Sequence, residues 1–143
     1  MLPERLTIHT KHAELSLEDV AAALPGTGDV MRSVSHCFAM CWHAAAGGNR
    51  DLAAYFLRRT RNLLRGLVVT RPKYAAQVAE YDVHFLEPLY QAVLAGDRRV
   101  FEARFERAVA QANTYHVDTG HPYVRWTVPA EPPDRGLDLS AGG

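Results

Sequence analysis

Residues 97–120 read DRRVFEARFERAVAQANTYHVDTG. Phe101, Phe105, Ala108, Ala112 and His116 recur at three- and four-residue intervals, which puts them on one face of a helix with 3.6 residues per turn. Asp97 can cap the free amides at its start, and Gly120 supplies a stop. The spacing predicts a helix between these two residues whose aromatic and alanine stripe ends on an imidazole.

The same reading extends upstream. Tyr74, Val78, Tyr81, Phe85, Leu89 and Ala92 share a face over about 73–95, where Pro88 predicts a kink and Gly96 an end. Asn49 caps a helix with the stripe Leu52, Phe56, Leu63 and Leu67, flanked by Tyr55 and Leu64, which ends before Arg71-Pro72. Its opposite face carries Arg58, Arg61 and Arg65. Asp29 is suited to cap a helix over about 30–46, with Val30, Val34, Cys37, Phe38, Cys41, Trp42 and Ala45 on one broad face before Gly47-Gly48. Four such helices with short connections predict an all-α protein, an antiparallel up-and-down four-helix bundle over 29–120.

Two segments flank that bundle. Residues 1–28 read as a lead-in with a short helix at Leu17–Leu24, ended by Pro25-Gly26, and no strand-forming hairpin is expected. Residues 121–143 hold Pro122, Pro129, Pro132 and Pro133, and Val124, Trp126 and Val128 alternate with Arg125 and Thr127. They predict an extended proline-rich tail, a strap laid across the bundle.

Composition sets the outer limits. The chain has 143 residues, 48% of them apolar and 22% charged, which suits one folded domain and excludes a disordered or low-complexity class. Sixteen basic and sixteen acidic side chains cancel, so no general field attracts nucleic acid. No apolar run approaches the ~18 residues of a membrane span. The N-terminus lacks a basic segment followed by an apolar one, and Cys37 and Cys41 sit four apart on one helix, poorly placed for a disulfide. Reduced thiols and a cytoplasmic location are expected.

Several residues suggest chemistry. His36, Met40 and His43 share a helix face at a spacing that suits a soft metal such as copper, or else form an exposed or dimer-contacting face. A zinc site from His36, Cys37, Cys41 and His43 is disfavoured, because the cysteines point elsewhere around the helix and read as buried structural thiols. Arg59 falls in the apolar stripe between Tyr55 and Leu63 and needs a partner there: Glu80, Asp82 or the carboxylate of a ligand. His84 flanks the stripe of its helix. His116, with Tyr115 beside it, is directed into or alongside the core, as a ligand-binding group or as a hydrogen-bonded core histidine.

Ala112-Asn113-Thr114-Tyr115-His116 is followed by Gly120-His121-Pro122-Tyr123, the alternating segment to Val128, and Pro129-Ala130-Glu131-Pro132-Pro133. Upstream stand Trp42-His43-Ala44-Ala45 and Gly48-Asn49-Arg50-Asp51-Leu52-Ala53-Ala54-Tyr55. Over most of 30–133 this pattern resembles a family of small four-helix, cytochrome-c-like proteins. Their C-terminal part runs through Cys-Asn-x-Cys-His, Gly-His-Pro-Phe, an apolar alternation and Val-Pro-x-x-Pro. In that family the two cysteines attach heme covalently and the histidine ligates its iron. Here Ala112 and Tyr115 stand at the cysteine positions, so covalent c-type heme at 112–116 is not expected, while His116 is kept.

The resemblance leaves three outcomes open, and with them whether the protein is an enzyme. Heme b is held noncovalently, with His116 on iron, Arg59 or Arg125 against a propionate, and Tyr115, Phe105 and Trp42 as walls; its role is then redox, gas binding or oxidation of a small molecule. Alternatively the vacated space takes another small molecule, which His116, His121, Tyr115 and Arg59 bind or act on as acid and base. Or Tyr115 and Trp42 fill the space, leaving a structural or interaction module. The resemblance further implies a homodimer through the His36/Met40/His43 face.

Overall fold

The computed structural model describes residues 6–141. Met1 to Arg5 of the lead-in, on which the expectation of no leader partly rests, and the last two residues of the tail lie outside the described residues. The chain is mostly helical: α1 (Leu17–Ala23), α2 (Thr27–Gly47), α3 (Arg50–Thr70), α4 (Ala75–Tyr81), α5 (Glu87–Ala95) and α6 (Arg98–Asp118). Among the described residues no helix is long and apolar enough to cross a membrane.

The caps explain most boundaries. Asn49 and Asp97 accept from the amides of Leu52 and Val100, satisfying donors that the first helical turn leaves free. Gly48 and Gly96 end α2 and α5 in the left-handed region at φ 91° and 69°, where a side chain would be strained. Asp29 is not the cap of α2. The helix starts earlier, behind Gly26, and Asp29 lies in its first turn, where a carboxylate suits the positive end of the helix dipole. α1 has the capping box of Ser16 and Asp19, yet buries none of its residues.

The lead-in also holds a hairpin that the sequence reading did not expect. β1 (Thr7–His9) pairs antiparallel with β2 (Glu14–Ser16), with Ile8 opposite Leu15. Its turn is made locally: the Thr10 hydroxyl accepts from the amides of His12 and Ala13, and the Thr10 amide donates to the Ala13 carbonyl.

The expected kink at Pro88 takes a specific form. A 3-10 turn (Pro72–Tyr74) leads into α4, and a π turn (Asp82–Leu86) joins α4 to α5 just before Pro88. Proline cannot donate back to the preceding turn, and the helix widens by one residue ahead of it. That extra residue moves the stripe: Leu86 is fully buried in place of the half-buried Phe85. The π turn also presents Asp82 to Arg61, whose Nε and Nη2 donate to its two oxygens at 2.7 and 3.0 Å, while Nη1 donates to Glu87 at 2.6 Å. These bonds hold the Asp82 carboxyl below the usual carboxylate range.

α2 lies against α3, α5 packs on both α3 and α6, and α6 reaches α2 and α4. The densest packing gathers at the C-terminal half of α2 and the N-terminal half of α6. Phe38 stacks on Phe105 at 4.3 Å, and Trp42 meets Phe105 at 4.9 Å and Phe101 at 6.0 Å. Each such ring removed from water stabilises the fold by about 1.5–3 kcal/mol. The C-terminal segment returns to this body at two places. Trp126 packs on Phe38, and further on Asn49 donates to the Asp138 carbonyl while Gly48 pairs with Ser140 in a single β-bridge. Leu139 lies so close to Gly47 that any Cβ there would collide with its carbonyl.

Candidate functional site

The last turn of α6 builds the site. Ala112 leaves room one turn before His116, and past the helix Gly120 turns the chain at φ 83°. The His121 amide donates to the His116 carbonyl at 2.7 Å and the Val124 amide to the His121 carbonyl, so the chain doubles back over the imidazole. Asn113 fixes that return. Its Nδ2 donates to the Trp126 carbonyl at 2.9 Å and its Oδ1 accepts from the Trp126 amide at 2.7 Å, as a neighbouring strand would. The Trp126 ring then stands edge-on to His116 at 5.8 Å.

Between the returning segment and the helices lies a cavity of about 670 Å³, within the range of small-molecule sites. Met31 and Val34 of α2, Leu64 and Leu67 of α3, and Val78 and Tyr81 of α4 give it apolar walls, closed by Trp126. Among its polar lining are His116, Gln77, Ser35 and Thr119. Arg32, Lys73 and His121 stand at its exposed margin, and neither Arg32 nor Lys73 is in an ion pair among the described residues.

Two residues of this lining each have a buried polar atom without a partner: Nδ1 of His116 and Oε1 of Gln77. Such atoms are rare in folded proteins because each forfeits its hydration. Burial among apolar walls, reinforced by the charge of His121, holds the His116 pKa below its ordinary 6.5. The Val124 backbone pulls the other way, by more than His121 adds, and Nδ1 itself has no hydrogen-bond partner. His116 is therefore a neutral imidazole at neutral pH, able to ligate a metal or take up a proton. Tyr115 lines the cavity with its ring while its hydroxyl donates to Glu80 at 2.6 Å; burial and that carboxylate push its pKa up to about 12. The Tyr81 hydroxyl is committed to the Ala108 carbonyl.

The cavity gathers His116, His121 and Tyr115, but not the other residues expected beside them. Arg59 is exposed, not part of the buried stripe, and lines a separate cleft of about 350 Å³ with Leu24, Val30 and Leu63. Its proposed partners are engaged elsewhere, Glu80 by Tyr115 and Asp82 by Arg61. The stripe of α3 runs through Ala53, Phe56, Leu57, Thr60, Leu64 and Leu67, one step around the helix from the expected one. Arg125 is exposed and outside the lining. Trp42 and Phe105 pack against each other at the other end and do not line this cavity. His84 is exposed.

The His36/Met40/His43 face is also not a free surface. Met40 is fully buried and the His36 ring meets Phe56 of α3 at 6.1 Å, while His36 and His43 stay partly exposed, so the three do not form one exposed face. Among the described residues no three His, Cys, Asp or Glu side chains come together as a metal-holding group. Cys37 and Cys41 are free and buried, and burial raises the Cys41 pKa, leaving it an inert thiol.

Arg32, Lys73 and Gln77 escaped the sequence reading. Lys73 and Gln77 are one helical turn apart beside the stripe residues Tyr74 and Val78, a local hint of a shared face. Nothing in the sequence brings Arg32 of α2 to the same opening. No family model, curated protein or solved structure matches this chain, and the likeness to cytochrome-c-like proteins rests on the motif residues alone.

Proposed function

We propose that this chain is an antiparallel four-helix bundle closed by its proline-rich C-terminal strap, and that it binds heme b noncovalently in the cavity beside His116. One observation carries the reading: His116, the imidazole at the position of the family's iron ligand, lines an apolar cavity and has a buried ring nitrogen without a partner. A histidine kept purely for packing would have a hydrogen bond or an apolar replacement.

The remaining lining suits the same group. His116 in its neutral form is the iron ligand, held in orientation by the edge of Trp126. Arg32 and Lys73 are the cations for the propionates, in place of Arg59 and Arg125. Tyr81, Tyr115 and Trp126 offer flat faces for a porphyrin. No cysteine lines the cavity, in keeping with noncovalent attachment. Bound there, heme supplies electron transfer, gas binding or small-molecule oxidation. The chain's own residues bind it, orient the imidazole and keep water from its inner face. A cytoplasmic location belongs to the same proposal, since both thiols are reduced. A heme-free small-molecule site is favoured by Gln77, a second unpaired group that iron ligation by His116 does not use.

Titrating heme into the full chain while following the Soret band tests the proposal, with His116→Ala alongside. Saturation at one heme per chain, with a band that shifts or weakens in the variant, is the expected result. No saturable band, or the same band in both proteins, overturns heme ligation by His116.

A further inference from the structure

Gln77 lies on α4, one helical turn after Lys73 and Tyr74 and one turn before Glu80 and Tyr81. Its carboxamide oxygen is buried, no donor of the described chain reaches it, and Gln77 lines the same cavity as His116, whose Nδ1 is also unpaired. Among the described residues only one other side-chain atom, Nε2 of His43 at the opposite end of α2, is left in this condition. Two of three such atoms on the lining residues of one cavity is the arrangement of a binding site whose hydrogen bonds the ligand completes. A carboxamide can bond at both ends, so leaving its acceptor dry destabilises the ligand-free protein.

We infer that Gln77 is a ligand-contacting residue that selects an apolar molecule bearing an N–H or O–H group, the donor that its Oε1 lacks. The inference rests on the reading of this cavity as a ligand site, not on heme as its occupant. Where heme is bound, the molecule selected is the small ligand or substrate that shares the cavity with it. Where no heme is bound, it is the ligand itself. The aromatic rings of Tyr81, Tyr115 and Trp126 favour a flat body, and Gln77 discriminates against the same body without its donor.

Indole and benzothiophene make a matched pair of probes, flat and nearly equal in shape, of which only indole carries an N–H. Binding of each to the heme-free full chain is followed by NMR shift titration, in the native protein and in Gln77→Leu, together with the melting temperature of each protein alone. Indole is expected to bind the native chain about three- to tenfold more tightly than benzothiophene, the worth of one hydrogen bond. In Gln77→Leu that preference disappears, while the ligand-free variant melts about 2–4 °C higher, because an unpaired buried amide has gone. A preference that survives the substitution, a variant that melts lower, or a native chain that binds neither probe overturns the inference. A parallel heme titration keeps the two readings apart: loss of heme binding with the indole preference intact removes heme alone.

Discussion

The two ends of the helix pair α2 and α6 follow one sequence pattern and reach opposite outcomes. At one end Phe38, Trp42, Phe101 and Phe105 pack ring against ring; at the other Val34, Ala112 and His116 line a cavity. Along α6 the change falls between Phe105 and His116, where the stripe narrows to Ala108 and Ala112. Large side chains on a helix face fill the space between helices, and small ones followed by an imidazole leave it open. Aromatic packing is concentrated at the first end, and open volume at the second.

The contrast makes graded predictions. Phe105→Ala opens a void in the aromatic end and costs about 3–5 kcal/mol, read as a shift in urea midpoint; an effect below about 1 kcal/mol would mean that this end is as loose as the other. Asn113→Ala removes both hydrogen bonds to Trp126 and costs about 1–3 kcal/mol. The Trp126 amide should then exchange with solvent faster than amides within α6, which hydrogen exchange would measure. His116→Leu, on the same helix face as Phe105, is expected to leave the ligand-free protein as stable or up to about 1 kcal/mol more so, because the orphaned nitrogen goes. A large loss on that substitution would turn the cavity end into ordinary core.

The smallest effect is one of pH. His116 has a folded pKa below 6.5, so between that value and 6.5 the unfolded chain holds more protons than the folded one. Stability therefore rises with pH through this window and falls as the solution is acidified below about 6.5. The slope should be shallower in His116→Leu, and heme affinity should drop over the same acid range as the ligand nitrogen is protonated. Thermal melts and Soret titrations from pH 5 to 7.5, a range set about the ordinary histidine pKa of ~6.5, would show both.

Much of this was legible in the sequence because it is local. Asn49, Asp97, Gly48 and Gly96 act within a few residues, and the stripe of α6 was read correctly from its spacing. What escaped depends on something a fixed period does not hold. The π turn inserts a residue and moves the core from Phe85 to Leu86. On α3, Arg59 and Leu63 were assigned to a stripe that lies one step around, where small Ala53 and Thr60 are buried instead. The hairpin is made by the Thr10 hydroxyl rather than by apolar alternation. At the site, the motif pointed to His116, but Gln77, Arg32 and Lys73 come to the same cavity from α4, α2 and the 3-10 turn before α4. Periodicity finds the face of each helix, and only the contacts decide which faces share a space.

The clamp of Asn113 on Trp126 also bears on time. One side of the cavity is a segment whose Trp126 backbone is held by one side chain, Asn113, and whose far end is held by the bonds at Gly48 and Asn49. Opening there requires release of the first hold while the second keeps the segment tethered, and it also gives up the contact of Trp126 with Phe38. Residence of a bound molecule behind that wall is then governed by how often one carboxamide and one ring contact let go together, and a slow latch retains its cargo even when the free concentration outside has fallen.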